Sequence, residues 1–202
     1  MRAEIAFVGD VHGNLSALRG LRDILTAIGG PHTVFLGDYI NKGAESAEVM
    51  QELVASSQAG RSTLLMGNHE VALLEALGTG DLAPFLKIGG ATTIRSYVGS
   101  NVGPDVLSDF RAHLPNEHVD AIRRMPETYE LDNVIARHVS LPASTSKFRI
   151  SAHFPVGSLP RIGYRSAQLD TGCGTDAGRL TALLWPGLDY VQVDTHGSIV
   201  TR

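Results

Sequence analysis

Asp10 and His12 in Gly9-Asp10-Val11-His12-Gly13, Asp38 in Gly37-Asp38-Tyr39-Ile40-Asn41-Lys42-Gly43, and Asn68 and His69 in Gly67-Asn68-His69-Glu70 are residues whose types and spacing could do chemistry. Carboxylate, amide and imidazole are oxygen and nitrogen donors suited to divalent metal ions. Each block stands on a glycine-flanked turn directly after an apolar run: Ile5-Ala6-Phe7-Val8, Thr33-Val34-Phe35-Leu36 and Ser62-Thr63-Leu64-Leu65-Met66. A parallel sheet presents ligands in this way along the carboxyl ends of its strands. Asp-x-His at a strand end is common by itself; three such blocks in order are hard to obtain by chance. Two further histidines end β-type runs: His138 after Val134-Ile135-Ala136-Arg137, and His153 after Arg149-Ile150-Ser151-Ala152.

Asp10, His12 and Asp38 could bind one metal ion, and Asp38 could bridge to a second completed by Asn68, His138 and His153. Two divalent ions about 3.5–4 Å apart can clamp a phosphate and bring the pKa of a bridging water toward neutrality. The hydroxide is then the nucleophile, and no serine or cysteine is needed. His69, beside Asn68, could protonate the leaving alkoxide as general acid. His32, His113, His118 and His196 fit no ligand pattern and read as surface or capping residues. Cys173 lies in a glycine-rich turn with no adjacent base and reads as packing. Trp185, just before Pro186, reads as core.

The elements that must position these groups follow from periodicity. Asn14 is a helix cap ahead of Leu18, Leu21, Leu25 and Ile28, whose three- and four-residue spacing predicts an amphipathic helix ended by Gly29-Gly30. Ser46 reads as the cap of a second helix with Val49, Met50, Leu53 and Val54 inward, and a third runs from the Asn68 block to about Leu77. Strand, loop and helix repeated three times predict βαβ units around a parallel sheet. The middle, about residues 78–125, reads as a helical cap region with helices at Gly90 to Val98, Pro104 to Leu114 and Asn116 to Arg124. From Glu127 onward short β runs dominate, ending in a hairpin about Pro186-Gly187. The prediction is one domain, residues 1–202, with two sheets face to face and helices outside.

Composition sets the frame. The chain has 202 residues, room for one substantial core, with 43% hydrophobic and 19% charged residues. A net charge of −4 implies no strong non-specific nucleic-acid affinity, and no nucleic-acid partner is expected. The lone cysteine excludes an intramolecular disulfide and points to a reducing compartment. No apolar run reaches the roughly 18 residues a membrane span needs, and Met1-Arg2-Ala3-Glu4 runs straight into a strand without a leader's apolar region. No membrane partner and a cytoplasmic location are therefore expected.

The ordered blocks GDVHG, GDYINKG, GNHE, IARHVS and SAHFPVG, with the tail Leu169-Asp170-Thr171-Gly172-Cys173 and Gly178-Arg179-Leu180-Thr181-Ala182-Leu183, resemble the phosphoprotein phosphatase branch of the calcineurin-like metallophosphoesterases. The similarity spans about residues 4–193 and is nearest to the compact bacterial serine/threonine phosphatases and diadenosine tetraphosphatases. It implies an α/β fold, a four-layer αββα sandwich of two mixed sheets with flanking helices. It also implies two divalent metal ions, manganese first, with iron or zinc as alternatives. The family's GDYVDRG block pairs an Asp with the catalytic histidine and grips phosphate with an Arg, where this chain has Asn41 and Lys42. Asn41 can bond an imidazole but, being neutral, cannot raise its pKa as a carboxylate does. Lys42 keeps the charge without the two-pronged grip. Only 15 positions separate His138 from His153, where the family carries a longer insert with another phosphate-binding Arg.

The function read from these residues is hydrolysis of phosphomonoesters by a dinuclear-metal-activated hydroxide. Phosphoserine and phosphothreonine proteins are the substrate class that the resemblance implies, with small phosphoesters beside them. A dinucleoside polyphosphate hydrolase on the same site is the enzymatic alternative. A metal-binding protein with weakened or lost catalysis is the other.

Overall fold

The computed structural model describes residues 4–140, 142 and 145–201. Met1 to Ala3, expected to lead into the first strand, lie outside the described residues. β1 (Ile5–Val8), α1 (Leu15–Ala27), β2 (His32–Phe35), α2 (Ser46–Gln58), β3 (Ser62–Leu64) and α3 (Asn68–Thr79) alternate as the periodicity predicts. Asn14 caps α1, its Oδ1 accepting from the Ala17 amide at 2.9 Å. Ser46 is not the cap of α2: Glu45 stands there, and Ser46 is the first helical residue, fully buried and turned toward the site described below.

α4 (Ala83–Lys87), α5 (Gly90–Val98), α6 (Val106–His113) and α7 (Asn116–Arg123) follow. α4 was not foreseen, being short and flanked by breakers. α6 begins later than expected, because Asp105 rather than Pro104 marks its start and accepts from the Ser108 amide. Phe85, Ile94, Phe110 and Ile122 from these helices join the core that α1 and α2 form over the first sheet.

The remaining strands are β4 (Thr128–Glu130), β5 (Val134–Arg137), β6 (Phe148–Ser151), β7 (Arg161–Ile162), β8 (Ser166–Gln168), β9 (Arg179–Trp185) and β10 (Asp189–Asp194). They complete two mixed five-stranded sheets, ordered β10-β9-β1-β2-β3 and β4-β5-β6-β8-β7. β1 is central to the first sheet, parallel to β2 on one side and antiparallel to β9 on the other. Its alternation divides the core. Ala6 and Val8 face the helices, while Ile5 and Phe7 face the second sheet, where Val134, Ala136, Ile150 and Ala167 meet them.

The two mixed sheets with helices outside match the expected α/β class. The helices gather on one side. α1 packs on β9 and β10, and α2 on β3. Among the described residues no helix follows α7, so the second sheet's outer face has no helical layer. That face carries Ile135, Arg137, Arg149, Ser166 and Gln168, none of them fully buried, which explains how it stands in water.

Candidate metal centre

The carboxyl ends of β1, β2, β5 and β6 and the start of α3 converge. Asp10 and His12 follow β1, Asp38 follows β2, Asn68 and His69 open α3, and His138 and His153 follow β5 and β6. Asp10, His12, Asp38, His69 and His138 are buried; Asn68 and His153 are half-buried. Asp38 looks both ways. Its Oδ1 lies 3.3 Å from His138 Nε2, while Oδ2 lies 3.8 Å from His12 Nε2 and 3.6 Å from His69 Nε2. Ligand atoms of His12, Asp38 and His69 all fall within 4.8 Å of one another, as do those of Asp38, His138 and His153. Asp10 Oδ2 stands 3.4 Å from His12 Nε2, and its Oδ1 accepts from the His153 amide at 3.3 Å.

Backbone carbonyls set the imidazoles. His12 Nδ1 donates to the Ile40 carbonyl and His138 Nδ1 to the Leu36 carbonyl, both at 3.1 Å. Each ring therefore turns its Nε2 into the site, as metal-ligating histidines do. His138 Nε2 then faces Asn68 Oδ1 at 2.9 Å, His153 Nδ1 at 3.1 Å and Asp38 Oδ1. Four side-chain donor atoms for a metal converge on one point, and an ion that displaces the His138 proton could take all of them. The donor set fits a divalent metal ion.

The local field points the same way. Burial would depress the His138 imidazolium, yet the Asp38 hydrogen bond and charge, with Asp10, lift it to about 9. Burial works against the Asp38 carboxylate, and the imidazoles of His138, His69 and His12 outweigh it, lowering Asp38 to about 2. His12 is likewise raised, Asp10 and Asp38 overcoming burial. His69 goes the other way: burial, aided by His12 and Lys42, outweighs Asp38 and takes it down to about 4.

Asn41, fully buried, holds His69 from behind. Its Nδ2 is 2.7 Å from His69 Nδ1, and its Oδ1 accepts from the Thr93 hydroxyl at 2.7 Å. With Oδ1 taken, Nδ2 is the atom that donates to His69, so the ring hydrogen lies on Nε2, toward Asp38. The Asn41 amide in turn donates to Thr93 Oγ1 at 2.8 Å and to Ser46 Oγ at 3.2 Å. Lys42 Nζ donates to His12 Nε2 at 2.7 Å, so its charge sits at the site.

Sequence reasoning missed three supporting residues. Thr93 and Ser46 belong to no ligand block, and nothing local marked them. Glu70 was legible only as the end of its block. It is fully buried and accepts from the amides of Tyr39 at 2.8 Å, Asp38 at 2.9 Å, Gly67 at 3.2 Å and Ile40 at 3.4 Å. Burial and the Asp38 charge raise it to about 7. Gly67 is required beside it: a Cβ there would come within 2.4 Å of Asp38 Oδ1.

Six non-glycine residues among those described take positive φ, and five of them are His12, Asp38, Asn41, Lys42 and His153. Left-handed backbone costs a side chain of this kind on the order of 1 kcal/mol or more, and such strain collects at functional sites.

The other singled-out residues lie elsewhere or are inert. Cys173 is buried, its thiol on the Val11 carbonyl and pushed up to about 12 by burial, so it packs rather than attacks. Trp185 is core, as expected. His113 and His196 are exposed and His32 is half-buried. His118 is not a surface or capping residue: it is buried between the Tyr97 hydroxyl, 2.9 Å away, and Gln51 Oε1.

The sequence pattern of the calcineurin-like phosphoesterases matches residues 3–171. The chain belongs to that family. This calcineurin-like phosphoesterase is 30% identical to a symmetrical bis(5'-nucleosyl)-tetraphosphatase of Ralstonia nicotianae over 108 residues, 54% of this chain and 35% of that protein. It is 29% identical to the zinc-dependent endopolyphosphatase of Saccharomyces cerevisiae over 89 residues, 43% of this chain and 27% of the other. The chain thus spans about a third or less of the length of these curated relatives. A candidate diadenosine tetraphosphatase superposes with a TM-score of 0.67 at 19% identity, covering 96% of this chain and 94% of that one. A cold-active protein tyrosine phosphatase gives 0.63 at 13%, covering 100% and 79%. At such identities these two likenesses establish the fold alone. The family and the cation-fitting donor set agree on a metallophosphoesterase-type centre.

Proposed function

We propose that this phosphoesterase acts on phosphates whose leaving group departs without a proton: aryl esters and phosphoanhydrides ahead of alkyl esters. The observation that carries the reading is the neutral Asn41 amide, fixed by Thr93, behind His69. An alkoxide needs a proton as it leaves, worth about 10²–10⁴-fold when a well-matched acid supplies it. His69 backed by an amide donor and lowered to about 4 supplies little acid at neutral pH. Phenolate and phosphate leaving groups do not need it.

In this reading Asp10, His12 and Asp38 hold one divalent ion, and Asp38, Asn68, His138 and His153 hold the second. When bound, the pair supplies Lewis acidity toward the phosphate and an acidified water. Manganese is the first choice of metal, with iron and zinc as alternatives; a zinc-dependent relative supports including zinc. Lys42, whose Nζ lies 2.7 Å from His12 Nε2, would steady a phosphate oxygen. His69 offers its Nε2 hydrogen as a bond donor, and Asn41 orients it. A dinucleoside polyphosphate is thus one substrate class, and the relatives' named activity supports it. The half-exposed His153 leaves the site open on that side, which favours phosphoserine or phosphothreonine protein as the second reading.

The test compares kcat/KM of the manganese-loaded protein on an aryl phosphate, a dinucleoside tetraphosphate and a phosphoserine peptide. At least about a hundredfold preference for the first two is expected. Equal turnover of the phosphoserine peptide would return the assignment to a protein phosphatase. Bound metal without turnover on any of them would leave a metal-binding protein.

A further inference from the structure

Phe154 is 54% exposed although it directly follows His153, and its ring stands edge-on to the His153 imidazole with centroids 4.4 Å apart and planes at 73°. Its contact with His153 puts this exposed aromatic ring directly beside a candidate ligand. It is also held still. His153 takes a φ of 67°, the Phe154 amide donates to the Ala152 carbonyl at 2.8 Å, and the Val156 amide donates to the Asp170 carbonyl at 2.9 Å. Strain and two hydrogen bonds thus fix the turn that presents the ring. Phe154 is thus an exposed aromatic ring in direct contact with a candidate ligand histidine.

We propose that Phe154 is a stacking platform that selects phosphates carrying a planar ring. The inference rests on the reading of this centre as a phosphohydrolase and names the substituent its substrate carries. The Phe154 ring is in contact with the His153 imidazole and open to solvent, so a phosphate bound beside His153 would have its ester substituent within reach of that ring. A rigid ring offers stacking area at little entropic cost, and stacking on an aromatic side chain is tolerant of the ring's identity. Two sources share that chemistry, the phenyl ring of a tyrosine phosphate and the base of a nucleoside polyphosphate. Reach separates them: an aryl ring is bonded directly to the ester oxygen, whereas a base stands a ribose and further phosphates away.

Stacking acts on the ground state and the transition state alike, so its loss should raise KM and spare kcat. Phe154→Ala should lower by about tenfold the ratio of kcat/KM on phenyl phosphate to that on glycerol phosphate, with the change in KM. Phe154→Trp should restore the ratio, which a merely structural role would not. The same ratio for a dinucleoside tetraphosphate against inorganic tetraphosphate tells the sources apart. Loss in the phenyl pair alone assigns the aryl ester, and loss in the nucleotide pair assigns the base. Binding of phenylphosphonate and methylphosphonate to the manganese-loaded protein, read by calorimetry, does not depend on turnover. A preference for the phenyl compound that Phe154→Ala removes upholds the platform even where hydrolysis is absent and the phosphohydrolase reading has failed. Equal affinities in wild type, or ratios unmoved by Phe154→Ala, overturn it.

Discussion

Asp38 makes the sharpest single-residue case, because its two oxygens address different clusters: Oδ1 the His138 side and Oδ2 the His12 side. Asp38→Asn keeps the shape and removes the shared charge. Elemental analysis should then find metal lost from both positions together; full occupancy of two ions per chain would end the bridging role. Asn41 makes the second case. A carboxylate at this position would favour the imidazolium of His69, now lowered to about 4. The acid form would then persist to higher pH, so in Asn41→Asp the alkaline limb of kcat on an alkyl phosphate should move upward while kcat itself rises. An unmoved limb would show that His69 is no acid in this chain. Both residues were legible from their place in a glycine-flanked block after an apolar run. Thr93 was not. It stands 52 positions from Asn41 in a helix with no chemical pattern, and only the folded chain brings its hydroxyl to the amide oxygen.

The turn that carries Asp38 is held by another element, the first turn of α3. One Glu70 carboxylate accepts from four amides there, so its contribution is to local geometry and not to the metal itself. Glu70→Gln replaces an acceptor oxygen with a donor that faces amide hydrogens. A loss of roughly 1–3 kcal/mol in urea unfolding is expected, with weaker metal binding alongside. Unchanged stability and unchanged metal content would mean that the turn holds its shape without Glu70. At this scale the βαβ half was readable because its periodicity is local and strong. The error at Ser46 has a physical cause: a hydroxyl that looks like a cap in sequence finds a better use bonding the Asn41 amide.

The centre joins the two sheets, with Asp10 and Asp38 from one and His138 and His153 from the other. Bound metal should act as a clasp between them. At a free ion concentration of about 100 times Kd the folded state gains about 2.7 kcal/mol, or roughly 5–10 °C in Tm for a chain of this size. Chelation should remove that margin, and an unchanged melting curve would mean that the ions do not bind across the sheets. Binding should also release a proton. His138 in the metal-free protein is raised to about 9 and is protonated at neutral pH, so the ion must displace that proton. Affinity should climb about tenfold per pH unit and flatten above pH 9. Calorimetry in buffers of different ionisation enthalpy reads the proton directly.

The position of β1 has a consequence for how such a chain is made. The strand that leads to Asp10 lies between β2, which follows it closely, and β9, whose partners Ala182 to Trp185 come near the end of the sequence. During synthesis on a ribosome, one edge of β1 stays open until β9 has emerged. An open apolar edge invites pairing with another nascent chain, and distant partners close slowly. A ribosome-bound fragment that stops before Arg179 should therefore be bound by holdase chaperones, and release should coincide with the arrival of β9.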